Sequence, residues 1–407
     1  METTVLVVGG GATGAGVARD LAMRGVDVTL VERGRFAGGT SGRSHGLLHS
    51  GARYAVDDPE GAEDCLVENR LLKEIAPHCV TDTGGYFLQV TGDDPDYFDR
   101  KREACEAIGI ETAVIDIETA RREEPDLADG VERVLEVPDA VVHPTRLTAA
   151  NAADAREHGA RLLPETEVRD VVRDGERVVG AVVDDGSGER PIDAEHVVNA
   201  TGAWAGQLGE LAGVEIEMAP TSGVMVAVEF EGLDTVLNRA RPAADGDIVV
   251  PHDEQVVLGT TSVDVEDPDE FSTDDAEIGR TFEECSAMLA GLDRDRIDRV
   301  YWGVRPLYTE DRERYEGRQI SRGFYLLDHD ARDGIDGLTT IVGGKLTTYR
   351  RMAEAVSDHV ADRLGVEEPS RTAETPLVGH DDPGRIDALV REFGASNPAD
   401  EDVVSRE

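Results

Sequence analysis

Thr4-Val5-Leu6-Val7-Val8-Gly9-Gly10-Gly11-Ala12-Thr13-Gly14-Ala15-Gly16 stands near the start of the chain. Residues 4–8 read as a buried strand, and Val17, Ala18, Leu21 and Ala22 recur at helical spacing behind the glycines. A second apolar strand, 26–31, ends in Glu32. Strand, Gly-x-Gly-x-x-Gly, helix, strand and acid together make a dinucleotide-binding unit. Gly9 permits the tight turn, Gly11 lets a pyrophosphate approach the backbone, and Gly14 lets helix and strand pack. With Ala12, Thr13 and Arg33 they form the expected cofactor set around Glu32, which can accept both ribose hydroxyls and repels a 2′-phosphate, arguing against NADP.

A second glycine site lies far downstream. The apolar run 338–342 leads into Gly343-Gly344-Lys345-Leu346-Thr347-Thr348-Tyr349-Arg350. Glycine N–H groups approach a ligand closely, and the helix behind them presents its positive end. Two such sites so far apart point to one large cofactor held from both sides. Arg35-Phe36-Ala37-Gly38-Gly39-Thr40-Ser41 and Val197-Val198-Asn199-Ala200-Thr201-Gly202-Ala203-Trp204 supply two further contacts. These segments resemble those of two-domain flavoproteins of the glutathione-reductase-like superfamily. The resemblance implies FAD, with Thr40 and Ser41 at the pyrophosphate or ribityl, Thr201 and Gly202 near the ADP half, and Gly344, Lys345, Leu346 and Thr347 facing the flavin; Ala200, Trp204 and Gly343 are expected cofactor residues beside them. His45, Gly46, Leu47 and Val168 complete the expected cofactor residues.

At 407 residues the chain can bury a large core and divide into two domains. Acidic residues number 85 against 41 basic ones, a formal net charge of −44. Lysine stands only at Lys73, Lys101 and Lys345. The acid is spread along the whole chain, as in proteins of extreme halophiles, where salt screens the self-repulsion. Nucleic acid is excluded as a partner, because its phosphates would be repelled. Cys65, Cys79, Cys105 and Cys285 are scattered without a Cys-x-x-Cys, so neither a metal centre nor a disulfide framework is expected. The first strand begins at once and no apolar stretch is long enough to span a bilayer, so a cytoplasmic protein is expected, docked on a membrane only through another subunit.

The scattered cofactor segments imply an α/β fold of discontinuous domains. The Rossmann-like, DAO-type FAD-binding domain takes 1–84, 140–216 and 325–366. A second, α+β substrate domain on a mainly antiparallel sheet takes 85–139 and 217–324. Strands are expected at 85–90, 161–163 and 223–230, with a pair at 248–251 and 256–261 around the turn His252-Asp253-Glu254-Gln255. A hairpin is expected at 167–172 and 178–183, and helices at 102–107, 147–158 and 276–289. Residues 367–407 read as a polar tail, partly disordered toward Asp400-Glu401-Asp402.

The chemistry concentrates in Ser44-His45-Gly46-Leu47-Leu48-His49-Ser50-Gly51-Ala52-Arg53-Tyr54, which should pass along the cofactor. Gly303-Val304-Arg305-Pro306-Leu307 and Arg322 precede the return to the second glycine site. Arg53, Arg305, Arg322 and Lys345 are thus four cations fit for an anionic small substrate, since guanidinium forks match carboxylate or phosphate. Arg312, Arg314 and Arg318 read instead as surface ion-pair residues.

These stretches resemble FAD-dependent sn-glycerol-3-phosphate dehydrogenase, most of all the catalytic A subunit of the anaerobic three-subunit enzyme, over residues 1 to about 366. The resemblance implies oxidation of glycerol 3-phosphate to dihydroxyacetone phosphate, with electrons leaving toward a quinone through partner subunits. It implies that Arg305, Arg322 and Lys345 hold the phosphate or the reacting carbon and that Arg53 lines the same pocket. Two departures stand out. Anaerobic A subunits continue into a cysteine-bearing C-terminal domain, absent by Glu407, so a shortened homologue or a truncated chain is implied. Aerobic relatives carry a histidine in the strand near Met225, where none stands between His196 and His252. The general base is therefore open. His49 is the first candidate, suited by its ordinary pKa, and the alternative is that it only hydrogen-bonds flavin or backbone. His252, expected to be solvated in a turn, is the second. Rival functions are an amino-acid or 2-hydroxy-acid oxidase, an electron-relay flavoprotein subunit, and a plain NAD dehydrogenase.

Overall fold

The computed structural model describes residues 1–309, 320, 322–394 and 398. Arg312, Arg314, Arg318 and the acidic end at 400–402 lie outside the described residues.

The opening stretch folds as its pattern dictates. The strand Glu2–Val8 runs through the glycines into the helix Ala12–Met23, and Val28–Val31 returns beside the first strand. Val28–Val31 and Glu189–Asn199 flank Glu2–Val8 in parallel, with Val5 opposite Val28 and His196. Arg161–Leu163 extends one edge in parallel. On the other side Leu338–Gly343 runs parallel to the end of Glu189–Asn199. Among the described residues this makes an eight-stranded sheet, completed by Phe324–Asp328 and by the antiparallel pair Glu167–Asp174 and Arg177–Asp184. The parallel strands bury both faces. Helices Ala12–Met23, Pro144–Glu157 and Tyr349–Leu364 cover one side around Val7, Leu30 and Val356, and Ala205–Ala212 helps cover the other around Leu6 and Val197.

A nine-stranded sheet contains Gly85–Val90, Val131–Val137, Thr221–Glu229, Val236–Arg239, Ile248–His252, Gln255–Gly259 and Ile297–Arg305. Its pairings are antiparallel except that between Val236–Arg239 and Gly85–Val90. One face packs on Phe282 and Leu289 around the amphipathic helix Asp275–Ser286, and the other on Phe98 and Cys105 of the helix Pro95–Ile108.

Two expectations are corrected, and one helix had not been expected. The hairpin turn is only Asp253-Glu254: His252 and Gln255 are paired strand residues, and His252 is 2% exposed rather than solvated. The long helix Pro59–Ile75 went unread, although Asp58 caps it at Gly61 N and Pro59 opens it, both ordinary start signals. The described part of the polar tail is packed: Leu377, Ile386, Val390 and Phe393 are buried in the core beneath the helix Pro383–Glu392.

Candidate active site

A long cavity of about 1400 Å³ runs between the two sheets. At one end it is walled by the first glycine loop. Gly9 has φ +110°, and a Cβ there would stand 2.6 Å from Ala200 O. A Cβ on Gly14 would stand 1.9 Å from Gly9 O, so Gly14 serves helix–strand contact and does not itself line the cavity. The helix Ala12–Met23 has no side-chain cap and no acid in its first turn, leaving a positive N-terminus toward the cavity. Gly11, Ala12 and Thr13 line it, and Ala12 N donates to Ser41 Oγ at 3.0 Å. Glu32 stands at the cavity wall with its oxygens accepting from Gly10 N at 2.7 Å and Gly34 N at 2.8 Å, which leaves acceptor capacity for ribose hydroxyls.

Arg33 pairs with Asp269 at 2.7 Å and lies 4.7 Å over the Trp204 ring. Thr40 donates to Val304 O at 2.6 Å, tying this wall to the second sheet. Val168, Ala200, Thr201, Gly202 and Trp204 line the same end. Gly343 and Gly344, with φ of +84° and +75°, line the middle with Leu346. A long cleft, a helix N-terminus free of acid, side-chain-free backbone at both glycine sites and an acid at the second strand's end fit a dinucleotide of FAD's length and charge.

The other end gathers His45, His49, Arg53, Tyr54, Arg305, Arg322 and Lys345. Gly46, at φ +76°, and Leu47 turn the chain so that His45 and His49 both face it, their rings 6.2 Å apart. His49 N donates to Thr347 Oγ1 at 3.1 Å; Thr347 thus braces the wall from behind and does not line it. Lys345 sits 4.3 Å over the Tyr54 ring and 3.9 Å from Asp58 Oδ2. The Arg305 guanidinium donates to Thr221 Oγ1, Ser222 O, Thr260 Oγ1 and Thr261 O, the last at 2.8 Å. Arg53 meets buried Asp247 at 3.6 Å. Arg322 Nε is buried and finds no hydrogen-bond partner among the described residues.

Burial and the nearby cations act together on the histidines. His45 is half-buried and lines the cavity. Burial, then Arg53, Arg305 and Arg322, pull its pKa down to about 3. Burial likewise holds His49 well below the ordinary imidazole range, with His45, Arg53 and Lys345 adding to it. Both rings are therefore neutral at neutral pH, and His49 can accept a proton. Its Nδ1 is buried without a hydrogen-bond partner, and its Nε2 lies 3.5 Å from the Tyr54 hydroxyl. His252 lies outside the cavity, its Nε2 3.1 Å from His45 O.

The sequence reading missed Tyr54, which ends the quoted stretch, and Met225 and Thr260, which line the cavity from the second sheet. Only Gly259-Thr260-Thr261, small polar residues closing an apolar strand, signalled that wall.

The family model for FAD dependent oxidoreductases matches residues 4–350. The A1 subunit of the anaerobic glycerol-3-phosphate dehydrogenase of Haloferax volcanii is 49% identical over 97% of this chain and 70% of its own length. The corresponding Escherichia coli protein is 44% identical over 95% of this chain and 72% of its own length. The structure of glycerol-3-phosphate dehydrogenase from Bacillus halodurans, complexed with FAD, superposes with a TM-score of 0.72 at 26% identity, covering 97% of this chain and 72% of that one. The chain belongs to the FAD dependent oxidoreductases, in the branch of the anaerobic glycerol-3-phosphate dehydrogenase A subunits.

Proposed function

We propose that this chain oxidises sn-glycerol 3-phosphate to dihydroxyacetone phosphate and passes the electrons to a quinone or a partner subunit, as a quinone-type glycerol-3-phosphate dehydrogenase. The observation that carries the reading is the convergence of Arg53, Arg305, Arg322 and Lys345 on one cavity end in a chain of net charge −44. A phosphate dianion is the ligand such a cluster selects.

FAD, which Gly11, Ala12, Thr13, Glu32, Gly343 and Gly344 would hold, would supply the hydride-accepting redox chemistry. The chain supplies position and charge. Arg322, with its unsatisfied Nε, and Arg53 hold the phosphate. Arg305, gripped by Thr221, Thr260 and two backbone carbonyls, is a fixed positive wall. Lys345 stabilises the alkoxide that develops as the C2 hydroxyl loses its proton. His49, neutral and enclosed, takes that proton. Burial is the main cause that holds the His49 pKa down; the dianion offsets the smaller contribution of the cations, so substrate binding strengthens the base.

Residues 1–84, 140–216 and 325–366 act as the cofactor domain and 85–139 with 217–324 as the substrate domain. The chain works as the catalytic member of a complex on the cytoplasmic face of the membrane, held there by its partner subunits. No described helix is long and apolar enough to cross a bilayer.

The test is anaerobic spectroscopy of the purified protein in molar KCl. Addition of sn-glycerol 3-phosphate bleaches the oxidised-flavin band near ~450 nm. Bleaching by amino acids or 2-hydroxy acids instead would make the chain an oxidase of that class. A flavin reduced by none of them would make it an electron relay.

A further inference from the structure

Two of the three lysines have evident employment. Lys73 pairs with Asp82 at 2.6 Å, and Lys345 faces the cavity. Lys101 does neither. It stands on the helix Pro95–Ile108 against the second sheet and is 1% exposed. Its ammonium donates to the backbone carbonyls of Ala52 at 2.8 Å and Arg53 at 3.2 Å. It rests 4.8 Å from the Phe87 ring centroid and 5.5 Å from that of Tyr97. Among the described residues no carboxylate forms an ion pair with it. A buried ammonium without a counter-ion is costly, and an apolar chain of similar length would fill the space at less cost. Its presence there calls for a task that only its donors perform.

The carbonyls it binds belong to the turn that carries Arg53 and Tyr54 to the cavity. That turn begins at Gly51, φ +98°, where a Cβ would meet Ala62 O at 2.3 Å. Tyr54 N closes it on Gly51 O at 2.9 Å. Two successive carbonyls are met by one compact ammonium, while the side chains of Arg53 and Tyr54 line the cavity. A planar guanidinium has a fixed fork and lacks the rotatable tripod that serves both acceptors between two aromatic rings. Beyond the turn, Arg53 is held only loosely. Asp247 lies 3.6 Å away and is already bonded by Arg241 at 2.8 Å and by Ala244 N at 2.5 Å. The aim of Arg53 therefore depends on its backbone.

We propose that Lys101 is a positioning residue: by binding the carbonyls of Ala52 and Arg53 from the substrate-domain helix, it fixes the turn that directs Arg53 onto the substrate phosphate. The proposal rests on the glycerol 3-phosphate reading of the site. It makes substrate affinity, rather than cofactor binding, the property that Lys101 controls. Burial holds the Lys101 pKa down to about 8, with Arg53 adding to the effect, so the ammonium is still protonated at neutral pH.

Steady-state kinetics of the FAD-loaded Lys101→Met and Lys101→Arg variants test this. KM for sn-glycerol 3-phosphate rises roughly tenfold or more in Lys101→Met, while kcat moves less than about threefold and flavin content stays at the wild-type level. Lys101→Arg, which keeps the charge without the tripod, falls between. If Lys101→Met does not fold, Lys101→Arg decides on the same KM readout. A wild-type KM in the folded variant, or a drop in activity wholly explained by lost FAD, overturns the proposal. No bleaching of the wild-type flavin by sn-glycerol 3-phosphate overturns the substrate reading with it. Bleaching with an unchanged variant KM overturns this proposal alone.

Discussion

The hydroxyl of Tyr54 lies 3.5 Å from Nε2 of His49, and their rings meet edge to face at 5.2 Å. The pair places an uncharged acceptor beside the ring that carries Lys345, so a proton leaving a substrate hydroxyl has a neutral base to reach. His49→Asn removes that acceptor while keeping polarity and approximate size. Turnover falls about 100-fold or more, the loss typical of a missing general base, with FAD retained. Near-normal turnover in the yellow variant would assign proton removal elsewhere and leave His49 a hydrogen-bonding role.

Arg322 brings to the cavity a buried Nε that no described group satisfies. An incoming phosphate oxygen supplies the missing acceptor. Arg322→Met therefore costs about 2 kcal/mol of substrate binding, roughly 30-fold in kcat/KM, the worth of a charge-assisted hydrogen bond. Arg322→Lys recovers only part of it, because an ammonium lacks the fork. Equal kcat/KM in both variants and the wild type would remove Arg322 from the phosphate site.

Gly14 tests the cofactor end. Its Cβ would stand 1.9 Å from the Gly9 carbonyl oxygen, a backbone atom that cannot swing aside. Gly14→Ala pushes the helix Ala12–Met23 away from its strand and with it the first-turn amides that face the cavity. The variant purifies colourless, or loses FAD on gel filtration where the wild type keeps it. A stably yellow Gly14→Ala protein would contradict the packing.

Buried histidines outside the cofactor groove set the acid limit of stability. Burial, then His252 and Arg146, lower His143 from 6.5 to about 3; burial, then Arg363, lower His196 to about 4. An unfolded chain takes up a proton at each as the pH falls through 6.5 while the folded chain refuses it. The stability is whole above that pH and is lost progressively below it. For His143 the loss at pH ~5 is about 2 kcal/mol. Thermal unfolding midpoints in molar KCl fall between pH ~7.5 and ~5, and His143→Gln flattens the slope. A midpoint indifferent to pH over that range would show these rings already protonated in the fold.

Local signals carried the cofactor half. The strand Glu2–Val8, its glycines, the helix Ala12–Met23 and Glu32 sit within one short stretch, where each feature has an immediate steric reason. Where burial is set by distant chain, the reading failed. His252 looked like a solvated turn residue, yet it is buried against distant chain, its Nε2 3.1 Å from His45 O and its ring 6.0 Å from that of His143. The segment after Gly365 averaged out as polar, yet Leu377, Ile386, Val390 and Phe393 all fall on the side that meets the core. Lys101 had no signal beyond its rarity, because its partners are backbone carbonyls, which leave no trace in residue identities.

The sequence by itself determined the glycine loop of a dinucleotide-binding unit at its start, a second glycine turn at Gly343-Gly344, and a set of candidate cations in Arg53, Arg305, Arg322 and Lys345. Those are statements about residue type and close spacing. Only the tertiary structure decided that the four cations line one cavity end, that burial, with the cations adding to it, keeps His45 and His49 neutral, and that Thr260 grips Arg305 while Thr347 braces the His49 backbone. The reason is physical: electrostatic shifts and hydrogen-bonded aim depend on distance and burial, and both are set by sheet pairing between segments far apart in the chain.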